Sequence, residues 1–437
     1  MSTRPDGIPV LSVISIGDEL ASGALLDTNM NRIARQCMSR GCRLETSRVL
    51  RDDVDAITDS MKQLAAISDI VVTTGGLGPT DDDLTRDALA RVIADGRTEL
   101  NDEALQWIRQ RYRKQGRVMP ESNTRQAMQP VGATLHFNAN GTAPAITASI
   151  GDCRIICLPG PPSEMVPLLE ELVIPLMPSS EGVPQPIGIT ACGIGESAAS
   201  ELLGSLLQRG RDPIIGIRAS ESLVTATIST MGRTPEDHRR VQEDAERVEQ
   251  AWSPWAFTRE DQSLASVVVR MLREHGATLA VAESCTGGLL GGSIVDVPGS
   301  SNVFTGGWIT YANQVKHDCL DVPMELIQSN GAVSRQVAAV MALSAARRAG
   351  ASLSISTTGI AGPGGGSDSK PVGTVYIGLC DTRGPMPETT VGHHVFNGDR
   401  QAVRRRTIMT ALQMIRWRLM GIDGTDLLGQ VREGTAT

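Results

Sequence analysis

The 437-residue sequence has few of the residues that build metal centres, disulfides or nucleic-acid surfaces. It holds only six histidines, none spaced as HxH or HxxxH, and its eight cysteines include no CxxC pair. A zinc site is therefore not expected, and the cysteines are expected to be reduced thiols. The net charge of −8 argues against a protein that coats nucleic acid. With no apolar run of 18 residues and no secretory signal at its start, the chain is expected to be cytoplasmic.

The run VAESCTGGLLGG at residues 281–292 is the most informative stretch that is present. A short apolar strand ends there, and an apolar helix begins after the glycines. This order places the Ser284 hydroxyl at the end of a buried strand, beside the backbone N–H groups of Cys285 to Gly288. A nucleophile beside unpaired amide donors is the minimum equipment for acyl transfer. An ordinary glycine-rich turn whose serine caps the helix would have the same pattern.

The length and the residue pattern predict two large domains and a small one. The first 175 residues alternate apolar strands and helices through glycine-rich loops, as in a mostly parallel α/β sheet that is covered on both faces. Boundaries rich in proline, serine or tryptophan lie at 173–188 and 251–261. We therefore expect two three-layer α/β domains with mostly parallel sheets at 1–175 and 258–425, and a small α+β unit at 180–252.

Individual elements follow from the apolar periodicity. The predicted strands are 9–17, 67–76, 153–162, 222–232, 352–366, 374–380 and 393–398. The predicted helices are 28–41, 84–94, 193–207, 235–248, 263–274, 334–348 and 399–419.

The segment TTGGLGPTDDDLTRDAL at 73–89 is richer than a generic turn. Its glycines allow a tight backbone, and Thr80 and Asp83 have the spacing of a capping box. The three consecutive aspartates would complement a helix dipole. Alternatively, the loop amides hold a phosphate, as helix starts often do. Because the aspartates would repel a pyrophosphate, the second interpretation requires a bridging divalent cation.

This segment is similar to the molybdopterin-binding domains of the MogA and MoaB type. The whole chain resembles the CinA family of competence- and damage-inducible proteins, through GDELASGALLDTN (17–29), VLRDDVDAI (49–57), LPGPPSEM (158–165) and GIGES (193–197). The resemblance implies that the amino-terminal domain is a pyrophosphatase that hydrolyses ADP-ribose with Mg, Mn or Co. The same fold also hosts molybdopterin adenylylation, so the chemistry follows less surely than the fold.

The resemblance also implies site residues for this domain. The metal positions are Asp83 and Asp53. The phosphate-holding glycines are Gly75, Gly76 and Gly78. Further substrate-binding residues are Thr80, Asp27, Asn29, Ser163 and Glu164, with Asp18 and Glu19 on the same edge.

Residues 262–418 resemble the PncC-type nicotinamide mononucleotide deamidases. The matching segments are AESCTGG, DVPGSS (296–301), GAVS (331–334), TTGIAGPGGG, KPVGTVYIG (370–378) and NGDR (397–400). The resemblance implies hydrolysis of the nucleotide's carboxamide to nicotinate mononucleotide and ammonia, without a cofactor. Ser284 would be the nucleophile, Lys316 would be the base, and Tyr311 would be its helper.

The chemistry of the residues agrees with this reaction. Carboxamide hydrolysis needs a nucleophile, a base and donors for the oxyanion, and a Ser–Lys or Ser–Tyr–Lys arrangement replaces scarce histidine. Lys316 can act as a base only if burial or a cationic neighbour lowers its pKa from about 10.4, and a solvated helix lysine is the alternative. The loop GIAGPGGG at 359–366 would wrap a phosphate, or would simply be flexible.

The predicted substrate-binding residues of this domain are Glu283, Cys285, Thr286, Gly287, Gly288, Thr358, Gly359, Gly362, Gly364, Gly365 and Arg400. The basic run Arg404 to Arg406 is expected to be a solvated helix face.

Residues 180–252 resemble a small KH-like subdomain of the same family. KH domains bind single strands through a GxxG loop, and no such loop lies between helices here. A spacer or dimerisation unit is therefore expected. The predicted partners are nicotinamide mononucleotide, ADP-ribose and a second copy of the chain, without a membrane or direct nucleic-acid binding.

Two alternatives stay open. One is a deamidase whose amino-terminal module binds a pterin or nucleotide without turnover. The other is a non-enzymatic competence partner of recombination proteins.

Overall fold

The computed structural model describes residues 8–220, 222–230 and 232–424. The outer ends of the domains predicted at 1–175 and 258–425, and two positions of the predicted middle unit, lie outside the described residues. The chain divides into two compact units, Met1–Pro186 with Thr230–Arg239, and Ile187–Ser229 with Arg240–Thr437. Most of the predicted small unit therefore shares a compact unit with the carboxy-terminal domain.

The strands of the first unit are β1 (Val10–Ile16), β2 (Arg43–Leu50), β3 (Ile70–Thr74), β4 (Thr98–Leu100), β5 (Met128–Pro130), β6 (Thr134–His136), β7 (Ala145–Ile150) and β8 (Cys153–Leu158). Six of them form one sheet with the order β2-β1-β3-β8-β7-β6. The first four in that order are parallel, and β7 and β6 are antiparallel at one edge. The strands β4 and β5 form a separate antiparallel pair.

The helices of this unit are α1 (Asp18–Ala21), α2 (Thr28–Ser39), α3 (Val54–Ala65), α4 (Thr85–Ala94), α5 (Asp102–Lys114) and α6 (Pro162–Leu172). Every residue of β1 and β3 is buried, because apolar clusters lie on both faces of the sheet. Ile14 and Val71 belong to one cluster, and Val13 and Val72 belong to the other. These alternating strand residues produce the predicted three layers. The apolar pattern predicts none of the strands β4 to β7, because such short strands contain too few residues to show a period. It does not predict the helix α5 either.

The loops that follow β1, β3 and β8 meet at one edge of the sheet, where parallel strands all have their carboxyl ends. Gly75 lies at this edge with a φ of +99°, and a Cβ atom there would be 2.2 Å from the carbonyl oxygen of Ile16. Only glycine fits this close approach of two strand ends. At this edge of the sheet, backbone atoms and not side chains therefore form the floor of a cavity.

The second unit begins with a small antiparallel sheet. Its strands are β9 (Ile187–Cys192), β10 (Ile214–Ser220), β11 (Leu223–Ser229) and β12 (Ala256–Thr258), in the order β10-β11-β9-β12. The accompanying helices are α7 (Glu196–Leu203) and α8 (Pro235–Ala251), of which the part from Arg240 onward belongs to this unit. The helix predicted at 193–207 is thus shorter than expected and ends in a 3-10 turn at Gly204–Leu207. The KH-like character of this part of the chain stays a prediction.

The rest of the second unit is an α/β domain on a five-stranded sheet. Its strands are β13 (Leu279–Glu283), β14 (Phe304–Ile309), β15 (Leu353–Gly359), β16 (Thr374–Asp381) and β17 (Glu388–Val395), in the order β14-β13-β15-β16-β17. The first three in that order are parallel, and β16 and β17 are antiparallel. The predicted α/β class is confirmed, and in both large domains the antiparallel strands lie at one side of the sheet.

The helices of this domain are α9 (Leu264–Glu274), α10 (Leu289–Val295), α11 (Asn313–Leu320), α12 (Met324–Asn330), α13 (Arg335–Ala349) and α14 (Arg400–Leu419). The long helix α14 also binds the small sheet. Gln413 Nε2 donates to the Cys192 carbonyl at 3.0 Å, and Trp417 Nε1 donates to the Pro254 carbonyl at 2.9 Å. Across the described part of the chain, no helix is long and apolar enough to span a membrane.

Candidate functional site

Ser284 directly follows β13, at a cavity of about 180 Å³ between the carboxyl ends of β13 and β15. Its N–H donates to the Thr357 carbonyl at 2.9 Å, and the side chain is 8% exposed. The backbone is therefore fixed while the hydroxyl faces the cavity. The other lining residues are Cys285, Tyr311, Asn313, Lys316, Ala332, Val333, Thr358, Gly359, Ala361 and Arg400.

Lys316 projects from α11 towards this serine, and its Nζ lies 3.1 Å from Ser284 Oγ. The same nitrogen donates to the carbonyls of Thr310 at 2.8 Å and Tyr311 at 3.2 Å. Lys316 is 1% exposed, and burial lowers the pKa of its amine to about 8. The two carbonyls occupy two N–H groups, so a neutral amine presents its lone pair to the hydroxyl of Ser284. The structure excludes a solvated helix lysine at this position.

Residues 284–288 between β13 and α10 form a loop, here called the serine loop. Glu283 is buried beneath this loop and does not line the cavity. Its carboxylate accepts hydrogen bonds from the N–H groups of Gly288 at 2.9 Å, Leu290 at 3.1 Å and Gly291 at 2.7 Å. These are the donors that begin helix α10, which an acidic side chain can satisfy. The prediction that Glu283 and Gly288 touch substrate is therefore corrected, because both hold the loop from inside.

Two of the four predicted amide donors remain at the nucleophile. The N–H of Gly287 donates to the Ser284 carbonyl at 3.2 Å, so it is also engaged within the loop. The N–H groups of Cys285 and Thr286 donate to no other residue in the described part of the chain. The N–H of Cys285, which lines the cavity, is the candidate for an oxyanion site, because Thr286 is fully buried and does not line the cavity. The Thr286 side chain is buried, with its hydroxyl 2.7 Å from that of Thr357.

Tyr311 and Arg400 form the rim of the cavity. The Tyr311 side chain is 61% exposed, and its hydroxyl accepts a hydrogen bond from Arg400 Nη2 at 3.0 Å. Arg400 Nη1 donates to the Gly362 carbonyl at 2.9 Å. The structure thus gives the tyrosine hydroxyl to Arg400, while the tyrosine backbone carbonyl supports Lys316. A fixed guanidinium at the rim suits an anionic part of a substrate.

The glycine-rich loop after β15 contributes less than predicted. Gly359 lines the cavity, and Thr358 also lines it while donating its hydroxyl to the Ala332 carbonyl at 2.8 Å. Gly364 and Gly365 are exposed and lie outside the lining residues. Asn313 lies at the cavity unpredicted, although it falls between the predicted Tyr311 and Lys316.

Arg404 corrects another expectation. It is half-buried, and its Nη2 donates to the Thr286 carbonyl at 2.8 Å, so it binds the serine loop and is not part of a solvated face. Arg406 donates to the Asn397 carbonyl. Arg404 and Arg406 of the basic run therefore hold loops of the domain.

The second candidate site is a cavity of about 680 Å³ at the carboxyl ends of β1, β3 and β8. The predicted glycines Gly75, Gly76 and Gly78 line it. It has no lysine, arginine or histidine among the described lining residues. Six carboxylates line it instead: Glu19, Asp27, Asp52, Asp82, Asp83 and Glu164.

Asp53, a predicted metal position, does not line this cavity. Its carboxylate accepts from the N–H groups of Asp55 at 2.9 Å and Ala56 at 3.0 Å, and so it caps α3. The neighbouring Asp52 lines the cavity, and its carboxylate accepts from the Asp18 N–H at 2.9 Å. Burial, together with nearby acidic charges, raises the pKa of Asp52. The sequence could not decide between adjacent aspartates, because the turn before α3 determines which one faces inward.

Asp83 lines the cavity but its oxygens are engaged. Oδ1 accepts from the Gly78 N–H at 2.7 Å, and Oδ2 accepts from the N–H of Thr80 at 2.9 Å and from its hydroxyl. Helix α4 begins only at Thr85, so Thr80 and Asp83 do not form the expected capping box at its start. Their hydrogen bonds instead stabilise the glycine-rich loop before the helix. Thr80 itself is outside the lining residues.

Of the remaining predicted residues of this domain, Glu164 lines the cavity, whereas Ser163 and Asp18 lie outside it. Glu164 is half-buried and accepts from Asn138 Nδ2 at 2.6 Å, and burial raises its pKa. Ser163 does not line the cavity, and its carbonyl accepts from Asn140 Nδ2 at 2.8 Å. Asp18 pairs with Arg51 at 3.5 Å, outside the cavity. Within the described residues, no group of three or more His, Cys, Asp and Glu side chains could hold a metal ion.

Comparisons with known proteins cover both domains. The CinA C-terminal domain family matches residues 261–419, and a family described as a probable molybdopterin binding domain matches residues 12–179. A protein of Clostridium acetobutylicum named putative competence-damage inducible protein is 37% identical over 414 residues, which is 94% of this chain and 100% of the relative. A CinA-like protein of Citrifermentans bemidjiense is 40% identical over 409 residues, which is 93% of this chain and 96% of the relative.

Among solved structures, the competence/damage inducible protein CihA from Agrobacterium tumefaciens is similar over 36% of this chain and 97% of its own, at 37% identity and a TM-score of 0.34. The full-length relatives decide the assignment, because they match both domains in one alignment. The chain belongs to the CinA family of competence-damage inducible proteins, with an amino-terminal domain of the MogA and MoaB type.

Proposed function

We propose that the carboxy-terminal domain hydrolyses nicotinamide mononucleotide to nicotinate mononucleotide and ammonia. The observation that carries this proposal is the 3.1 Å contact between the buried Lys316 amine and the Ser284 hydroxyl. A lysine with a pKa of about 8 is neutral often enough near physiological pH to accept the proton of a serine.

In the proposed reaction, Ser284 Oγ attacks the carboxamide carbon while its proton moves to Lys316 Nζ. The N–H of Cys285, which lines the cavity, stabilises the negative oxygen of the tetrahedral intermediate. Lys316 then gives the proton to the leaving nitrogen, ammonia departs, and an ester on Ser284 remains. Water attacks this ester with Lys316 again as base, which releases the carboxylate and restores the serine.

The rim of the cavity would bind the ribose and phosphate of the mononucleotide. The pyridine carboxamide enters the cavity of about 180 Å³, and the ribose and phosphate extend outwards to Arg400 and the Tyr311 hydroxyl. Arg400 is braced by the Gly362 carbonyl, so its position is set before substrate arrives. Such preorganised charge favours binding.

The test is incubation of the full-length protein with nicotinamide mononucleotide, with ammonia and the nucleotide product measured by mass. Ser284→Ala should lower the rate by about 1,000-fold or more, because it removes the attacking atom. Deamidation at the wild-type rate by this variant would refute the assignment.

We propose a second activity for the amino-terminal domain, hydrolysis of ADP-ribose to AMP and ribose 5-phosphate. The cavity combines a glycine loop with six carboxylates and no basic side chain among its described lining residues, so a pyrophosphate there requires a cation. Among the lining residues, the Asp27 carboxylate and the Asn29 amide offer the oxygen ligands that a hard divalent ion such as Mg, Mn or Co takes. When bound, such an ion neutralises phosphate charge and lowers the pKa of water.

This activity is tested by measuring AMP release from ADP-ribose with and without Mg²⁺, Mn²⁺ or Co²⁺. Release that depends on the cation and survives Ser284→Ala supports a second, separate site. No release with any of these ions would make the domain a binding module without turnover. Absence of both activities would favour a non-enzymatic competence partner.

A further inference from the structure

Two buried oxygen atoms in the amino-terminal cavity lack a hydrogen-bond partner in the described part of the chain. They are Asp27 Oδ2 and Asn29 Oδ1. Both residues line the cavity, and Asn29 is only 8% exposed. Buried acceptors without a donor are unfavourable, so two of them at one cavity point to a ligand that supplies positive charge or donors.

The rest of each side chain is held firmly. Asn29 Nδ2 donates to the Gly160 carbonyl at 2.7 Å, which fixes the amide so that its oxygen is the free atom. Asp27 Oδ1 accepts from the Met30 N–H at 2.9 Å and caps α2. The two free oxygens are therefore positioned by the fold before any ligand binds.

We infer that Asp27 Oδ2 and Asn29 Oδ1 are the protein ligands of a divalent cation, whose coordination is completed by water and by a substrate pyrophosphate. This inference rests on the proposed pyrophosphatase function. Mg²⁺ and similar ions commonly take one or two protein oxygens together with phosphate, and do not require a cage of carboxylates.

The charges around the site support the binding of cation and phosphate together. The positive end of α2 opposes a bare cation, but it attracts a phosphate. Five further carboxylates on the cavity wall favour the cation: Glu19, Asp52, Asp82, Asp83 and Glu164. The cation is therefore expected to bind more tightly when the nucleotide is present.

This assignment differs from the positions that the family resemblance implies. Asp53 caps α3 away from the cavity, and both oxygens of Asp83 accept hydrogen bonds from the glycine loop. Asp27 and Asn29, in contrast, each keep a buried oxygen without a hydrogen-bond partner.

The test measures Mn²⁺ binding to the full-length protein by electron paramagnetic resonance, with and without α,β-methylene ADP-ribose, which cannot be hydrolysed. Asp27→Asn and Asp53→Asn form a matched pair, because asparagine caps a helix as well as aspartate does. We expect Mn²⁺ affinity about tenfold weaker or worse in Asp27→Asn, by analogy with losses at other metal sites. Asp53→Asn should bind Mn²⁺ as the wild type does.

Asn29→Ala supplies a second variant and should also weaken Mn²⁺ binding, with circular dichroism confirming that each protein is folded. Wild-type Mn²⁺ affinity in Asp27→Asn would overturn the inference, as would a loss confined to Asp53→Asn. If Asp27→Asn weakens the nucleotide analogue without metal but leaves Mn²⁺ affinity intact, the pair accepts ribose hydroxyls and the inference is wrong. Mn²⁺ loss in Asp27→Asn beside a wild type that releases no AMP would support the site and refute the pyrophosphatase.

Discussion

The two cavities lie at equivalent places in their domains, yet they differ in what the chain itself supplies. Each lies at the end of a strand whose last residues belong to a Thr-Thr-Gly sequence, within TTGGLGP at 73–79 and TTGIAGP at 357–363. The carboxy-terminal cavity contains a hydroxyl and an amine in contact, with an arginine at the rim. The amino-terminal cavity contains carboxylates and no basic side chain in its described lining. In both cavities the strand ends contribute similar backbone. The lining side chains differ, and under the proposed functions only the acidic cavity of the amino-terminal domain needs a cation to bind its substrate.

Replacement of Lys316 is the strongest test that the carboxy-terminal site is complete in itself. Lys316→Met keeps the chain length but removes the base, and should lower kcat by about 100- to 10,000-fold. Lys370→Met is the matched control, because Lys370 Nζ also donates to two carbonyls, those of Asn330 and Val333, without touching Ser284. Similar losses in both variants, measured as ammonia release, would mean that lysine acts only by holding the cavity wall.

The pH dependence of deamidation is a second test of Lys316 as the base. Burial lowers the pKa of Lys316 to about 8, and the neutral amine is the form that accepts a proton. The rate should therefore rise about tenfold per pH unit below this value and level off above it. A rate that is flat between pH 6 and 9, with product followed by mass, would show that another group accepts the proton.

Replacement of Glu283 shows how far its carboxylate stabilises the serine loop through hydrogen bonds. Glu283→Ala leaves the N–H groups of Gly288, Leu290 and Gly291 without an acceptor, and should lower the free energy of unfolding by on the order of 3 kcal/mol. Urea unfolding and kcat measure the two effects. Glu283→Gln keeps one oxygen and should lose less of both. A fully stable alanine variant would show that water replaces the carboxylate.

The smallest effect is expected at Asp53. Asp53→Ala removes the cap of α3 and should lower the free energy of unfolding by about 0.5–2 kcal/mol, while Asp53→Asn retains the cap. AMP release should be unchanged in both variants, since the carboxylate lies outside the cavity. Loss of AMP release in the asparagine variant would restore Asp53 as a functional residue.

The sequence predicted the fold where burial leaves a clear pattern. The continuous apolar runs of β1 and β3 are buried on both faces, as parallel central strands should be. Strand direction was not predictable at β16 and β17, because apolar composition is the same for parallel and antiparallel strands. Segments of three residues such as β4 leave no period to detect.

The sites were predicted to the level of segments, and side-chain direction limited the rest. The contact of Lys316 with Ser284 agrees with the predicted pairing, although the catalytic roles stay predictions. Asp52 and Asp53 are adjacent, and only the local turn decides which one faces the cavity. Glu283 looks like a site residue in sequence, but strand alternation turns it inward.

Helix α14 connects features that are far apart in the second unit. Arg400 at its first turn lies at the rim of the cavity, and Arg404 one turn later binds the Thr286 carbonyl. Trp417 near its end binds the Pro254 carbonyl, just before β12 of the small sheet. At 1.5 Å per residue these ends are separated by roughly 25 Å. A carboxy-terminal fragment that begins at residue 258 would lack the Pro254 carbonyl, and the end of α14 would therefore lose the hydrogen bond that Trp417 donates to it.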